Sequence, residues 1–290
     1  GAATKQRLEQ AGARVIGVDV DRADVIADLA TPEGRAAAVD RVTELVDGSI
    51  DGLVTCAGIA GLTGRPGSLV VSVNYFGTVT LIEGLRPLLA RGQLPAVVAI
   101  SSNSTTIQPG VPVDLTRLCL EGDEPGARAL ADDVDALHAY PATKLAVAWW
   151  VRRHAPSAEW AAAGIALNAL APGKVETPLL DETRSDGVIG SLVDALPVPV
   201  GRSGAPDEIA AAVQQVEDRV GRGAVLVARR GVDVHPPELP ERRRLVGHAR
   251  ERAVWDVGGV PRQRAGHGHD APRVLERLGG RVVARVDRRH

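Results

Sequence analysis

The sequence contains few cysteines and few aromatic residues. Of its 290 residues, 2 are Cys and 2% are Phe, Trp or Tyr. Two cysteines, Cys56 and Cys119, are too few for a disulfide framework and indicate a reducing compartment, which favours a cytoplasmic protein. Because apolar residues still make up 44% of the chain, we expect a sizeable core built from Ala, Val, Leu and Ile.

Long hydrophobic runs and an excess of charge of one sign are also absent from the sequence. No apolar run approaches the roughly 18 residues that span a membrane, and no basic-then-apolar leader is expected. The net charge is −2, so the whole chain carries no broad electrostatic signal for nucleic acid or for a membrane surface. We therefore expect a cytoplasmic α/β protein without a nucleic-acid or membrane partner.

Apolar segments alternate with helical patterns along most of the chain. Continuous apolar strands separated by helices are typical of a parallel, doubly wound sheet that is buried on both faces. The opening residues 1–12 indicate a helix, and Thr31 followed by Pro32 is typical of a helix start. The predicted strands cover residues 14–20, 50–58, 96–102, 165–173 and 223–228, and the further predicted helices cover residues 31–46, 70–89, 140–155 and 206–219.

The composition changes near residue 235, where we place a domain boundary. Residues 235–290 contain 13 Arg, 5 His and 7 acidic residues but no Ser, Thr, Asn, Ile, Lys, Phe or Tyr, so they carry a net charge of +6 against −8 for residues 1–234. This tail has no sustained apolar period, and we expect it to be disordered or loosely helical. A high-GC gene read in a shifted frame or past its stop would give this composition. An arginine-rich arm that binds nucleic acid or an acidic partner is the functional alternative.

Tyr140 and Lys144, in the segment YPATK, lie four residues apart and therefore share one face of a predicted helix. A free tyrosine has a pKa of about 10, which is too high for ready proton exchange at neutral pH. An ammonium group one helical turn away favours the phenolate form and lowers this pKa. The pair is a candidate general acid/base, and an aromatic ring packed under a lysine stem is the structural alternative.

Small and polar residues follow the predicted strands at their carboxyl ends, where ligands bind in open α/β sheets. Ser101 and Ser102 end one strand. The segment TCAG (55–58) closes another with residues small enough to let a nucleotide approach, and APGKVET (171–177) follows a third. Asp19 ends the strand at 14–20 and is placed to bind a ribose 2′-hydroxyl.

Taken in this order, the motifs resemble the short-chain dehydrogenase/reductase family over about residues 1–234. Residues 15–35, 70–78 and 171–180 are most similar to the bacterial hydroxysteroid dehydrogenases/carbonyl reductases of that family. The resemblance implies a Rossmann-type doubly wound sheet. It also implies an oxidoreductase that transfers hydride between a nicotinamide cofactor and a secondary alcohol or ketone, with a steroid-like substrate favoured. A homodimer or homotetramer is the usual assembly in the family.

The resemblance implies a catalytic set made of Asn74, Ser102, Tyr140 and Lys144. Tyr140 would be the general acid/base on the substrate oxygen, and Ser102 would hold that oxygen. Lys144 would lower the pKa of Tyr140 and bind the nicotinamide ribose. Asn74 would hold a water molecule that passes the proton outward.

The resemblance also implies a site for NAD. Asp19 would repel a 2′-phosphate, so that NAD is favoured over NADP, and Asp28 and Leu29 match the pair that contacts adenine. The expected cofactor-binding residues are Gly1, Asp19, Asp28, Leu29, Cys56, Ala57, Gly58, Tyr140, Lys144, Pro172, Gly173, Val175 and Thr177.

Gly1 matches the last glycine of the Thr-Gly-x-x-x-Gly-x-Gly turn that follows the first strand of this family. We therefore expect a sheet that lacks its first, central strand and most of the Gly-rich turn. Losing about five buried apolar side chains at roughly 1.5–3 kcal/mol each would cost on the order of 10 kcal/mol. A domain has only about 5–15 kcal/mol of stability, so we expect the chain as written to fold poorly and to bind NAD weakly.

Two other functions and two specificity regions stay open at this point. The nearby alternative is a dehydrogenase of an aromatic or allylic alcohol such as coniferyl alcohol, and the distant one is a non-catalytic truncated remnant. Substrate specificity is expected to lie in residues 103–139 and in the lid-like residues 178–200, called the lid segment below. The segment HGHD (267–270) lacks partner ligands, so no metal site is predicted.

Overall fold

The computed structural model describes residues 1–218. The strand predicted at 223–228, the tail at 235–290 and the segment at 267–270 therefore lie outside the described residues. Within residues 1–218, short parallel strands alternate with helices. The strands are Val18–Asp19 (β1), Val25–Ile26 (β2), Gly52–Thr55 (β3), Ala96–Ile100 (β4) and Ala166–Leu170 (β5).

The helices follow the predicted order, with additional short helices between them. Thr31 accepts a hydrogen bond from the Gly34 amide at 3.0 Å and caps the second helix, as the Thr-Pro pair predicts. The α-helices are Ala2–Gln10 (α1), Pro32–Leu45 (α2), Gly67–Val71 (α3), Gly77–Leu89 (α4), Ser104–Ile107 (α5), Val113–Glu121 (α6), Glu124–Val134 (α7), Ala136–His154 (α8), Pro178–Ser185 (α9), Gly190–Ala195 (α10) and Pro206–Asp218 (α11). Two π-helical segments, Ser72–Phe76 and Ala158–Ala162, complete the set.

Strands β3, β4 and β5 form one parallel sheet with β4 in the middle. Backbone hydrogen bonds continue past the strand ends, since the Ser101 amide donates to the Leu170 carbonyl at 2.8 Å and the Asn103 amide donates to the Pro172 carbonyl at 3.0 Å. The residues that follow β4 and β5 therefore lie side by side at the carboxyl edge of the sheet.

Strand β4 is buried on both faces, which explains its continuous apolar sequence. Val97 and Ala99 pack in the main core cluster, together with Val147 of α8. Val98 points to the opposite face and packs with Val213 of α11. Helices cover both faces of this sheet, and the predicted parallel α/β fold is confirmed.

Strands β1 and β2 form a separate two-stranded parallel sheet. Val18 pairs with Val25 and Asp19 pairs with Ile26. Over residues 1–218, β1 has no other strand partner, and the strand predicted at 14–20 is reduced to two residues. A strand with a neighbour on one side only has fewer ladder hydrogen bonds to extend it.

Helix α3, the first π-helical segment and α4 form one continuous helical stretch at residues 67–89, close to the helix predicted at 70–89. Its 23 residues and mean hydropathy of 1.3 are long and apolar enough to cross a membrane, but 67% of the apolar window is buried inside the protein. This burial indicates a core helix of the α/β fold.

Helix α8 begins at Ala136, four residues before the predicted start. The Asp135 carboxylate accepts a hydrogen bond from the His138 amide at 3.0 Å and caps the helix. Pro141 lies inside α8 and cannot donate to the Leu137 carbonyl. The Gln108 side-chain amide donates to that carbonyl instead, at 3.0 Å, so the helix continues through the proline.

Candidate active site

Three of the four expected catalytic residues meet where β4 ends against α8. Ser102 follows β4, and Tyr140 and Lys144 lie one turn apart on α8. The Ser102 hydroxyl accepts a hydrogen bond from the Ser104 amide at 3.1 Å and lies close enough to the Tyr140 phenol to act on its pKa. Lys144 Nζ lies 5.9 Å from the centroid of the Tyr140 ring. A hydroxyl, a phenol and an ammonium group therefore face one small region at the carboxyl edge of the sheet.

Asn74 reaches the same region from the π-helical segment Ser72–Phe76. Its buried side chain accepts a hydrogen bond from the Ile59 amide at 2.8 Å and donates one to the Ile59 carbonyl at 3.0 Å. A Cβ atom at Gly58 would lie 3.2 Å from Asn74 Oδ1 and 3.3 Å from Lys144 Nζ. Glycine at position 58 therefore lets the loop after β3 pass close to both side chains.

Burial controls the electrostatics of this cluster. Lys144 Nζ donates to the Ile100 carbonyl at 2.9 Å, and burial lowers the pKa of its ammonium group to about 8, against a smaller opposite effect of Cys56. Burial also raises the pKa of Tyr140, against a lowering by the Ser102 hydrogen bond. The net shift of the Tyr140 pKa is upward, because desolvation outweighs the effect of Ser102, and the lowering of this pKa by Lys144 stays a prediction.

The residues expected to bind the adenosine half of the cofactor lie on the β1–β2 side. Asp19 is exposed at the end of β1, and its carboxylate accepts a hydrogen bond from the Val20 amide at 2.7 Å. Asp28 is exposed and accepts from the Ala30 amide at 2.9 Å, whereas Leu29 is buried in the core cluster under α2. Two carboxylates therefore border the carboxyl end of this small sheet.

Helix α1 begins beside the end of β3. A Cβ atom on Gly1 would lie 3.7 Å from the Cys56 Cβ. Gly1 is exposed at the N-cap, and no side chain caps the helix. Because the first amides of a helix attract anions, this helix start, with Ala57 and Gly58 following β3, fits the diphosphate of a dinucleotide.

The segment after β5 lies at the same carboxyl edge. Pro172, Gly173 and Val175 are half-buried there. The Thr177 hydroxyl accepts a hydrogen bond from the Leu180 amide at 3.3 Å and caps α9. Thr177 therefore joins the expected cofactor-binding segment to the start of the lid segment.

Charged side chains tie the lid segment to the residues that follow β5. Arg184 makes two hydrogen bonds to the Glu176 carboxylate, at 2.6 and 3.0 Å. Lys174 donates to the Val193 carbonyl at 3.1 Å and to the Asp194 carboxylate at 3.3 Å. Helices α9 and α10 are thus tied back to the segment that follows β5.

A second set of contacts ties the lid segment to the loop after β3. Asp186 accepts hydrogen bonds from the Thr63 amide at 2.7 Å and from the Thr63 hydroxyl at 2.9 Å. Arg65 pairs with Glu182 at 2.6 Å. Hydrogen bonds from the Ile189 and Thr63 amides lower the pKa of Asp186 to about 2. No sequence signal predicted these contacts, because the partners lie far apart in the chain.

A buried ion pair connects α2 to α7, and the sequence analysis did not predict it. Arg35 of α2 is 3% exposed and makes two hydrogen bonds to the Glu124 carboxylate of α7, at 2.5 and 3.1 Å. The Ser72 hydroxyl donates to the same carboxylate at 3.0 Å and is also contacted by Arg128. The Arg35 side chain also donates to the Leu29 carbonyl at 3.3 Å.

The two cysteines differ in their surroundings. Cys119 is fully buried in the core, and burial raises the pKa of its thiol to about 12. Cys56 is half-buried at the end of β3. Residues 1–218 contain no group of three or more His, Cys, Asp or Glu side chains arranged to hold a metal ion.

No family model matches the chain. Among curated proteins, the 3-alpha-hydroxysteroid dehydrogenase/carbonyl reductase of Comamonas testosteroni is 38% identical over 242 residues, which cover 80% of this chain and 92% of the relative. The short-chain reductase protein NovJ of Streptomyces niveus is 31% identical over 239 residues, which cover 73% of this chain and 80% of the relative.

A solved structure agrees with these relatives. The 3-alpha-hydroxysteroid dehydrogenase from Pseudomonas sp. B-0831, complexed with NADH, is 41% identical with a TM-score of 0.74, over 79% of this chain and 90% of that chain. Two curated relatives exceed 30% identity over most of both chains, and the residues that carried the resemblance lie together in space. The chain therefore belongs to the short-chain dehydrogenase/reductase family of enzymes.

Proposed function

We propose that the protein is an NAD-dependent oxidoreductase that transfers hydride between the cofactor and a secondary alcohol or ketone, with a steroid-like substrate favoured. The observation that carries this proposal is the meeting of Ser102, Tyr140 and Lys144 at one edge of the sheet, with Asn74 behind them. The names of the relatives support the steroid-like substrate and the choice of cofactor.

The proposed chemistry assigns proton transfer to Tyr140. In the direction of oxidation, Tyr140 Oη takes the proton of the substrate hydroxyl, and in reduction it returns that proton to the carbonyl oxygen. The Ser102 hydroxyl donates a hydrogen bond to the same substrate oxygen. When bound, the nicotinamide supplies or accepts the hydride. Lys144 keeps positive charge near the phenol and binds the nicotinamide ribose. Asn74, which is hydrogen-bonded to the Ile59 backbone, holds a water molecule that passes the proton outward.

NAD is the proposed cofactor because of the residues that border its site. Asp19 places an exposed carboxylate where a 2′-phosphate would be repelled, and Asp28 with Leu29 borders the adenine side. Gly58 lets the loop after β3 pass close to Lys144 Nζ, the group proposed to bind the ribose. The remaining proposed contacts are made by Gly1, Cys56, Ala57, Tyr140, Pro172, Gly173, Val175 and Thr177.

We also propose that a strand outside the described residues completes the sheet between β1 and β3. Within residues 1–218, β1 pairs with β2 only and β3 pairs with β4 only. The Thr55 hydroxyl at the end of β3 is buried and has no hydrogen-bond partner among the described atoms. A strand that leads into α1 would run beside both edges and would join the two sheets.

Hydrogen exchange tests this strand. A chain extended upstream of Gly1 by an apolar strand and a Gly-rich turn is compared with residues 1–290. We expect slower amide exchange in β1 and β3 and tighter NAD binding in the extended chain. Equal exchange in the two chains would contradict the proposal.

A substrate panel tests the activity. NADH formation is followed with a 3α-hydroxysteroid, with simple secondary alcohols and with coniferyl alcohol, and we expect the steroid to give the highest kcat/KM. Preference for coniferyl alcohol would favour the aromatic-alcohol alternative. Absence of turnover with every alcohol and ketone, in an extended chain that binds NAD, would favour a non-catalytic protein.

The proposal extends to assembly and to the tail. We expect a homodimer or homotetramer in the cytoplasm, measurable by analytical ultracentrifugation and cell fractionation. Residues 235–290 are expected to be dispensable, so an extended chain that ends at residue 234 should keep its kcat/KM. Loss of activity on this deletion would assign a function to the tail.

A further inference from the structure

Ser101 and Lys144 are joined by a reciprocal pair of hydrogen bonds between the end of β4 and α8. The Ser101 hydroxyl donates to the Lys144 backbone carbonyl at 2.7 Å. In return, the Lys144 ammonium group donates to the carbonyl of Ile100, the residue before Ser101, at 2.9 Å. Both side chains are buried, with Ser101 3% and Lys144 5% exposed.

The backbone of Ser101 is held independently of its hydroxyl. Its amide donates to the Leu170 carbonyl and so continues the pairing of β4 with β5. The hydroxyl is therefore free to act on α8 alone, and its removal leaves the sheet intact. It contacts α8 at Lys144, one turn after Tyr140, and the next residue, Ser102, lies close to Tyr140 itself.

We propose that Ser101 is a positioning residue for this reaction, whose hydroxyl fixes α8 against β4 and thereby sets where the Lys144 ammonium group lies relative to Tyr140 and Ser102. This inference rests on the proposed dehydrogenase function, which assigns Ser102, Tyr140 and Lys144 to the chemistry. Ser101 itself acts through Lys144 and is not expected to touch the substrate.

Position matters here because small displacements of catalytic groups reduce rates strongly. The Lys144 ammonium group lies close to the loop after β3, where a Cβ atom at Gly58 would be 3.3 Å from its Nζ. The titratable groups that face it in the described structure are Tyr140 from α8 and Cys56 from the end of β3. Loosening α8 would let water reach Lys144 and would change its ionisation.

The lysine content of the chain makes this ionisation directly measurable. The sequence has three lysines, Lys5, Lys144 and Lys174, so side-chain nitrogen NMR of lysine-labelled protein gives three signals. Lys144 is distinguished from the other two lysines because burial lowers its pKa to about 8. In Ser101→Ala we expect this titration midpoint to rise by about one pH unit toward the ordinary lysine value, because burial decreases.

Two variants control this measurement. Ser101→Thr keeps the hydroxyl and should restore the midpoint of the unaltered protein. Ser104→Ala removes a hydroxyl three residues away that has no hydrogen-bond partner in the described structure, and it should leave the midpoint unchanged. A Lys144 midpoint in Ser101→Ala equal to that of the unaltered protein would overturn the proposal, as would an equal shift in Ser104→Ala.

Steady-state kinetics separates this proposal from the proposed function. Ser101→Ala should lower kcat by about tenfold with little change in the substrate KM, and Ser101→Thr should recover it. If an N-terminally extended protein with Ser101 unaltered binds NAD but turns over no alcohol or ketone, while the Lys144 midpoint still shifts in Ser101→Ala, the positioning contact stands and the dehydrogenase function fails. If kcat is unchanged in Ser101→Ala, the positioning role fails and the dehydrogenase function stands.

Discussion

The β3–β4–β5 sheet and the β1–β2 pair are built from similar apolar sequences but differ in extent. In the larger sheet, β4 has a partner on each side and a helix layer on each face, and its five residues are paired throughout. In the smaller sheet, two residues of β1 pair with two of β2. The strands of the larger sheet therefore have four or five residues each, whereas those of the smaller sheet have two.

The catalytic part and the adenosine part of the site differ in a similar way, because one lies on the larger sheet and the other on the smaller sheet. The catalytic cluster lies on the larger sheet, where Asn74 and Lys144 are buried and hydrogen-bonded to backbone groups. The carboxylates of Asp19 and Asp28, on the smaller sheet, are exposed. Catalytic geometry is therefore fixed by packing, and the adenosine side of the proposed cofactor site is held by fewer contacts.

The largest expected effect tests the catalytic half alone. In an N-terminally extended enzyme, Tyr140→Phe should lower kcat by about 10²–10⁴-fold, because it removes the proposed general acid/base. NADH binding, measured by fluorescence titration, should stay close to that of the unaltered protein. The control is Tyr75→Phe, which removes the other tyrosine hydroxyl of the chain from a buried position and should keep most of the activity. Near-normal turnover in Tyr140→Phe would refute the mechanism.

The second prediction tests the buried ion pair between α2 and α7. Glu124→Gln removes the charge that pairs with the buried Arg35, and it should lower the free energy of unfolding by about 3 kcal/mol. The control is Glu121→Gln, whose carboxylate is half-exposed and pairs with Arg117 one turn away; a change below about 0.5 kcal/mol is expected there. Chemical denaturation measures the free energy of unfolding of both variants. Equal losses in the two would contradict a larger contribution from the buried Arg35–Glu124 pair.

A smaller effect is expected when the adenosine half is altered alone. Asp19→Ala removes the carboxylate proposed to exclude a 2′-phosphate, so the preference for NAD over NADP in kcat/KM should fall by about tenfold. Asp21→Ala is the matched control, because Asp21 is exposed, lies two residues away and pairs with its neighbour Arg22. If the unaltered enzyme already prefers NADP, the assignment of Asp19 to the ribose is wrong.

The smallest expected effect concerns the lid segment, which is tied to the segments that follow β3 and β5. Asp186→Ala breaks the contacts with Thr63, and the substrate KM should rise a few-fold while kcat changes little. Asp181→Ala, an exposed position on α9, should leave KM unchanged. The outcome against this prediction is an equal KM for Asp186→Ala and the unaltered enzyme.

The pH dependence of the same contact has a definite sign. The pKa of Asp186 is lowered from its ordinary value to about 2, so its stabilising contribution is present above the ordinary carboxyl range and is lost as the pH falls toward 2. Between about pH 5 and 8 the carboxylate stays ionised, and the contribution of this contact to KM should be constant. A KM that rises between pH 7 and pH 5 in the unaltered enzyme but not in Asp186→Ala would contradict this.

Sequence analysis predicted the parts of the fold that depend on local patterns. The strand predicted at 96–102 is β4, because a strand buried on both faces has an unbroken apolar sequence, and Thr31 caps α2 as expected. The strand predicted at 14–20 was too long, because its length depends on a neighbouring strand and not on its own residues. Helix α8 began earlier than predicted, because the cap at Asp135 needs an uncommon backbone conformation with φ of 73°.

The candidate site was also predicted only in part from local patterns. Motifs indicated the residues at the carboxyl ends of the strands, and these lie where parallel pairing brings strand ends together. The contacts between Thr63 and Asp186, 123 residues apart, and between Arg35 and Glu124, 89 residues apart, had no local signal. Their partners are brought together by tertiary packing alone, and the pKa shifts of Tyr140 and Lys144 depend on burial that only the fold creates.

The π-helical segment Ser72–Phe76 makes the number of residues in the central helix as important as their identity. A π turn holds one residue more than an α turn, and each residue turns a helix by about 100°. Deletion of one residue from Ser72–Phe76 should convert this wide turn into an ordinary α turn, and α4 should keep the buried Ile82 and Leu85 in the core. Asn74 therefore owes its place in the site to an additional residue in the helix, and such a deletion would move the Asn74 side chain while α4 keeps the same face toward the sheet.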